Sequence, residues 1–595
     1  RRSMTAAVNT ESTSWVVWFV SLLFYPVEAI LDFLQGRSCP RPNPYLQKNY
    51  APVAHELFAQ DLPVEGQLPA DLVGEFVRNG PNPRQIPRGG YHWFDGDGML
   101  HGVRLADGRA NYVNRWTHTY RTQREAAAGR LLYIRLGQMR GWLGVAQLMF
   151  MMMFKNFVLR VLRRPLDKSE GNANTSVVFH DGRLLALVEN DHPYHVRMMM
   201  DGMLETAGRY SYDGKLTHYF TAHPKVDPNG EMVFFGYNIL ERPFCAVSVV
   251  SKDGQLLRTV DAGLSRPGMM HDMAITERYS LILDTCLEFT PQNMVRVGNA
   301  FGFNDQRTTR VGVMPRHATD AKSIRWFDFK PCFIFHTLNA WEEGDNVFLL
   351  HCRIGRFQLQ QFDATHPREW SDEERPYISL YRMNLATGDC EERRVWEEAC
   401  EFPVVASDVL GRYAEYGYVA TIDHGEAAGG TVVFNSVVKH RISRKGDVEE
   451  VARIPFGESS FGGECVFVPR ASRKSEDDGC GSLSASRCLP RSLYPRSLSP
   501  RSPSISLPQR PPCYPVTSAT SSPSSSTNVP TPPPLSCTTP RPWPPPPSPA
   551  SLSPNASPMA STAYGSAKIS SVPNHISRTA EPRKTTIHTE LLAKK

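Results

Sequence analysis

The chain has 595 residues, 41% of them hydrophobic, and a formal net charge of +6. That length exceeds one average domain, although all-β folds run long, and the apolar fraction supports a large core. The small net charge, with no basic run interleaved with aromatics, argues against a nucleic-acid partner. Twelve scattered cysteines without a C-x-x-C pair fit a reducing compartment better than a disulfide framework.

Taken in order, the chain opens with three residues that read as upstream sequence before Met4. Trp15 to Tyr25 is nearly all apolar, then Pro26, Glu28 and Asp32 interrupt it. The run is too short to span a bilayer. Glu11 before it and the lack of a small-residue cleavage site make a secretory signal a poor fit. Residues 1–42 therefore read as an extension whose amphipathic segment lies on a membrane surface or packs on the core. Asn43 to His118 reads as short strands and turns, with DGDG at Asp95–Gly98 as a structural turn; the later ligands of a calcium loop are missing. Arg140 to Arg164 is apolar, Met-rich and basic at its end, which predicts one or two helices within an insertion over 119–170. From Asn172 to Pro469 strand-like runs recur with Asp-Gly turns between them, which predicts hairpins and an all-β barrel, sandwich or propeller. Asn174-Thr-Ser matches a glycosylation pattern but reads as a polar turn. Residues 480–595 are dominated by Ser, Pro, Thr and Arg without a strand pattern, the composition of a disordered tail.

Three histidines stand at the edges of strand-like runs: His223 in TAHPKVDP, His271 in MMHDMAIT and His336 in FHTLNAWEE. They are 48 and 65 residues apart, so only a fold that returns its strands to one axis brings them together. None has a nearby Cys, which excludes a zinc finger; imidazole alone suits iron, copper, zinc or nickel. Each, taken singly, is one of 18 histidines and more commonly a surface or core residue.

These three segments, with NGPNP, GYHWFDGDGMLHG, ANTSVV, EFP and FGGE, resemble the carotenoid cleavage dioxygenases in order and spacing from about Asn43 to Asp478. The resemblance implies a seven-bladed β-propeller with a helical cap, an apolar tunnel and one Fe(II) on the axis. His223, His271 and His336 match three of the family's four iron ligands. Glu189, Glu401 and Glu464 match glutamates that hydrogen-bond the ligand imidazoles from behind, fixing their tautomers. Cys465 stands where many relatives have Pro. The substrate implied is a carotenoid or apocarotenoid, cleaved with O2 at a conjugated double bond into two carbonyl products. The opening SWVVWFVSLLF resembles the plant cytosolic branch, which cuts at 9,10 (9′,10′). LETAGRY is closer to the 9-cis-epoxycarotenoid branch, which cuts at 11,12. The location expected is cytoplasmic and peripheral to membranes, with a plastid as the alternative. No dinucleotide or Walker motif is present.

A metal-free binding propeller is the competing class. It has no need of three histidines and three glutamates in these positions. A retinoid isomerase on the same scaffold is weaker, because the motifs are plant-like. The fourth ligand of the family, in a Gly-Phe-His motif, has no in-frame counterpart; His575 and His588 match nothing. One frame away, codons across Met559–Gly565 permit Gly-Phe-His-Gly-Trp, and those across Ser524–Asn528 permit Phe-Val-His-Glu. Residues 480–595 therefore read either as a true tail or as sequence displaced by a retained intron. In the second case residues 43–479 form a propeller with an incomplete last blade, short of one ligand and inactive.

Overall fold

In the computed structural model, six antiparallel four-stranded sheets follow one another along the chain, over 57–116, 176–209, 225–261, 274–329, 333–394 and 400–455. The structure describes residues 26–34 except 28 and 32, and 43–487 except 87–89, 140, 162–169, 291, 294–299, 363–369, 424–430, 458–459 and 484–485. In five sheets the strands lie side by side in chain order; in the first, Leu57–Ala59 takes one edge and Gly74–Asn82 the other. The fourth sheet carries an inserted ladder, Leu287–Phe289 against Phe301–Phe303.

Neighbouring sheets meet along their innermost strands. Gly74–Asn82 touches Ser176–His180, Ala274–Ile275 touches Phe333–Glu343, and Phe333–Glu343 touches Cys400–Val404. This is a β-propeller arrangement, and its core is divided into slabs between blades. Val178, Leu185, Phe220 and Phe234 fill one slab; Val233, Val247, Ile282 and Met314 fill the next; Leu283, Val311, Ile334 and Leu349 another. Strands covered on both faces lose the in–out alternation of a half-buried sheet, so Cys245–Val250 is buried at every residue. The predicted Asp-Gly hairpins form: Asp181 and Gly182 have φ of 48° and 69°, the positive pair that a two-residue turn with native twist requires.

The resemblance implied seven blades. Among the described residues six are four-stranded, and two short ladders follow, Ser460–Phe461 with Ser486–Arg487 and Cys465–Pro469 with Gly479–Leu483; the second is the longer. The Cys465–Leu483 ladder packs on the sixth sheet through Phe467 stacked on Tyr418, and on the first through Cys480 beside Leu68, Leu72, Leu105 and Ala110. The physical reason lies in composition: beyond Arg487 the sequence is dominated by Ser, Pro and Arg, with prolines that lack the ladder donor and few apolar residues to bury. The expectations for the tail beyond 487, for 1–25 and for the shifted-frame motifs lie outside the described residues.

Two helices occupy the predicted insertion, α1 (Tyr120–Ala128) and α2 (Gly141–Val161). The Thr119 hydroxyl caps α1 and Gly129, at φ 65°, ends it. Asp95 of the DGDG turn acts as the structural anchor expected of it. Its carboxylate accepts the backbone N–H groups of His92, Leu136 and Gly137, which ties the segment between the helices to the first blade. Asn174 is 5% exposed and donates to the Phe94 and Gly96 carbonyls, a buried structural role. No described helix is long and apolar enough to cross a membrane.

Candidate metal centre

The blades bring the three predicted histidines to one point. His223 lies two residues before the innermost strand Lys225–Val226, and His271 three before Ala274–Ile275. His336 lies within Phe333–Glu343, where the register against the next strand shifts on either side of Thr337. Such irregularities release a residue from the ladder and re-aim its side chain. The Nε2 atoms of His223 and His271 are 2.9 Å apart, and those of His271 and His336 are 3.3 Å apart. Among the described residues this is the one cluster of His, Cys or acidic side chains arranged to share an ion.

Two of the three predicted glutamates stand behind these rings. Glu189, in the turn after Arg183–Leu187, places Oε1 2.6 Å from His271 Nδ1. Glu401 places Oε2 2.5 Å from His336 Nδ1. A carboxylate on Nδ1 holds the proton there and leaves Nε2 with a lone pair facing the axis. Glu401 is aimed by a local distortion: Phe402 has a φ of 54°, an uncommon conformation for a bulky residue, and its N–H donates to Glu401 Oε2 at 2.8 Å. Glu464 is half-buried beside Arg78, whose guanidinium lies against Gly463. Burial pulls the Arg78 pKa down and the Glu464 charge pushes it back up.

Aromatic rings wall the centre. Phe335 meets the His271 ring edge-on at 5.1 Å, and Phe402 lies 5.4 Å from His336. Phe94, Phe357 and Phe362 extend the same cluster. The sequence reading missed these residues, since a lone Phe carries no chemical signature; only their adjacency to the histidine motifs pointed to them. Imidazole nitrogens 2.9 and 3.3 Å apart fit donors to one divalent ion, because nitrogens bound at about 2.0–2.1 Å to a shared metal are about 2.8–3.4 Å apart.

The fold and this centre define a β-propeller with a candidate metal site of histidines on its axis. The profile of the retinal pigment epithelial membrane protein family matches residues 50–481. A carotenoid 9,10(9′,10′)-cleavage dioxygenase of Phaseolus vulgaris is 40% identical over 461 residues, covering 76% of this chain and 83% of that protein. A chloroplastic 9-cis-epoxycarotenoid dioxygenase of Arabidopsis thaliana is 32% identical, covering 76% of each chain. The crystal structure of a lignostilbene dioxygenase from Pseudomonas brassicacearum superposes with a TM-score of 0.63 at 26% identity, covering 76% of this chain and 91% of that one. The chain belongs to the family of the retinal pigment epithelial membrane protein and the carotenoid cleavage dioxygenases.

Proposed function

We propose that the chain is an Fe(II)-dependent dioxygenase that cleaves a carotenoid or apocarotenoid at its 9,10 (9′,10′) double bonds, with O2, into two carbonyl products. The observation that carries this reading is the convergence of three imidazoles, two of them backed by carboxylates, inside an aromatic wall. The 9,10 assignment is supported by the higher identity to relatives named for that cleavage, 40% against 32% for the epoxycarotenoid enzyme, which remains the alternative at 11,12. His223, His271 and His336 would hold the iron, which supplies the activation of dioxygen when bound. Glu189 and Glu401 fix the ring tautomers. A polyene offers nothing to hydrogen-bond, so Phe94, Phe335, Phe362 and Phe402 must select the bond by shape and keep water away.

The same reading makes the Cys465–Leu483 ladder part of a seventh blade, α1 and α2 a cap over the site, and the enzyme a cytoplasmic protein that extracts substrate at a membrane surface. Exposed Trp142, Met149 and Met153 on α2, and Ile30 and Phe33 near the chain start, support the last point. Incubation of the Fe(II)-loaded protein with β-carotene, zeaxanthin and a 9-cis-epoxycarotenoid, followed by mass analysis, tests the proposal. Ionone-like ketones are expected; intact substrate with one iron bound per chain would sink it.

One observation favours a second reading, an inactive metal-poor propeller. The described cluster holds three histidines, and the last ladder has two strands. Sequencing mature transcript across the codon for Gly479 separates the two. An uninterrupted frame through the Ser/Pro region removes the retained intron; a spliced frame restoring a Gly-Phe-His segment supports it.

A further inference from the structure

The three strands that bring the histidines to the axis also meet a second time. Lys225 stands two residues after His223, Asp272 directly after His271, and Thr337 directly after His336. Lys225 and Asp272 are 4% and 1% exposed. The Lys225 ammonium donates to both carboxylate oxygens of Asp272, at 2.8 and 3.0 Å. The Thr337 N–H donates to Asp272 Oδ2 at 2.8 Å, and its hydroxyl lies 3.0 Å from Oδ2 and from the Met273 carbonyl. The Met273 N–H donates to Oδ1 at 2.7 Å. One carboxylate thus gathers donors from the inner edges of three successive blades.

We propose that Lys225, Asp272 and Thr337 form a positioning clasp that sets the offset of the three histidine-bearing strands, and with it the geometry of the metal centre. The inference rests on reading His223, His271 and His336 as metal ligands. Cohesion alone does not call for this cluster. Taking an ammonium and a carboxylate out of water is costly, and an apolar pair of the same volume commonly holds a core as well or better. The apolar slabs on either side already join these blades. What an apolar contact lacks is direction: packed side chains tolerate sliding, whereas a carboxylate saturated by donors from three strands fixes each strand along the axis. A metal centre needs its donors held to within about 0.5 Å. A second strap has the same form: Thr221 Oγ1 accepts from the His223 N–H and donates to the His271 carbonyl, both at 3.1 Å.

Co(II) titration of the full chain, read by its visible absorption, tests this together with the thermal midpoint of the metal-free protein. Wild type should bind Co(II), and His336→Ala should lose it. The double variant Lys225→Met/Asp272→Leu should keep its metal-free midpoint. Its Co(II) affinity should fall by about 10–100-fold, as when partners of metal ligands are lost, with a shifted absorption band. If the double variant does not fold, Thr337 reads the same quantity: Thr337→Val should weaken Co(II) binding and Thr337→Ser restore it. A folded double variant with wild-type affinity and spectrum, or a Thr337→Val that binds as wild type when the double variant is unfolded, overturns the clasp while leaving the centre intact. Equal Co(II) binding by wild type and His336→Ala overturns the metal-centre reading and the clasp with it.

Discussion

Within the candidate centre, His271 and His336 each have their own carboxylate partner, and removing a partner differs in kind from removing a ring. Glu401→Gln keeps the size of the side chain and an acceptor oxygen, but not the negative charge that holds the proton on His336 Nδ1. The expected result is a folded protein whose Fe(II) affinity falls about 10–100-fold, measured by competition with a chelator. His336→Ala should abolish stoichiometric iron binding and any carotenoid cleavage together. Glu75 offers a test outside the centre. It is 6% exposed, its Oε1 has no hydrogen-bond partner among the described residues, and burial lifts its pKa from 4.5 to about 7, against the pull of Arg104. Its contribution to stability is therefore complete below about pH 4.5 and lost as pH rises through 7. Glu75→Gln removes that penalty and should stabilise the protein at pH 8 by on the order of 3 kcal/mol, seen in urea unfolding at pH 8 and absent at pH 4.5.

Among the elements, α1 is held by charge rather than by apolar area. Glu125 is 4% exposed, and its carboxylate accepts from Arg135 at 3.2 and 3.4 Å and from the Leu132 N–H at 3.0 Å; Arg121 lies at 3.9 Å. Glu125→Ala leaves two buried guanidinium groups facing each other, so a loss of about 3–5 kcal/mol is expected, with earlier proteolysis near residues 119–139 as the local readout. The next helix has the opposite character. Trp142 and Met153 on α2 are 67% and 60% exposed, apolar and on an element of a protein proposed to take its substrate from a bilayer. Trp142→Glu/Met153→Glu should reduce co-sedimentation with phosphatidylcholine vesicles without lowering the thermal midpoint. Unchanged partition would return α2 to the role of an ordinary surface helix.

For the whole molecule, buried and half-buried histidines away from the centre set the acid limit of the fold. His101, His192 and His440 are pushed down to about 4 and His351 to about 3, in each case chiefly by burial. His351 has no hydrogen-bond partner for either ring nitrogen among the described residues and lies against the Tyr381 ring at 4.2 Å. Each of these imidazoles is neutral when folded and takes up a proton on unfolding below its ordinary value of 6.5. The stability they supply is thus complete above about 6.5 and drains as pH falls through 4. The thermal midpoint is expected to peak near pH 6.5 and to fall steeply between 6 and 4. A flat profile over that range would show that the four rings titrate normally.

The sequence by itself determined the class of fold, the three histidines and the family. Asp-Gly turns at strand spacing dictate hairpins through backbone sterics alone, and the words around His223, His271 and His336 are specific enough to read without geometry. The partnership of Glu189 with His271 and of Glu401 with His336 was legible only as a likeness. It took the Phe402 distortion to show how a strand residue turns its carboxylate onto a neighbour's ring. Tertiary structure alone decided which blades share which slab, because strands buried on both faces lose the alternation that would name their partners. It alone brought Lys225, Asp272 and Thr337 into one cluster, since residues 47 and 65 positions apart carry no local sign that one carboxylate will hold them both. And it alone counted the blades. Among the described residues six complete sheets are followed by two short two-stranded ladders, and no local motif records how many sheets close a ring.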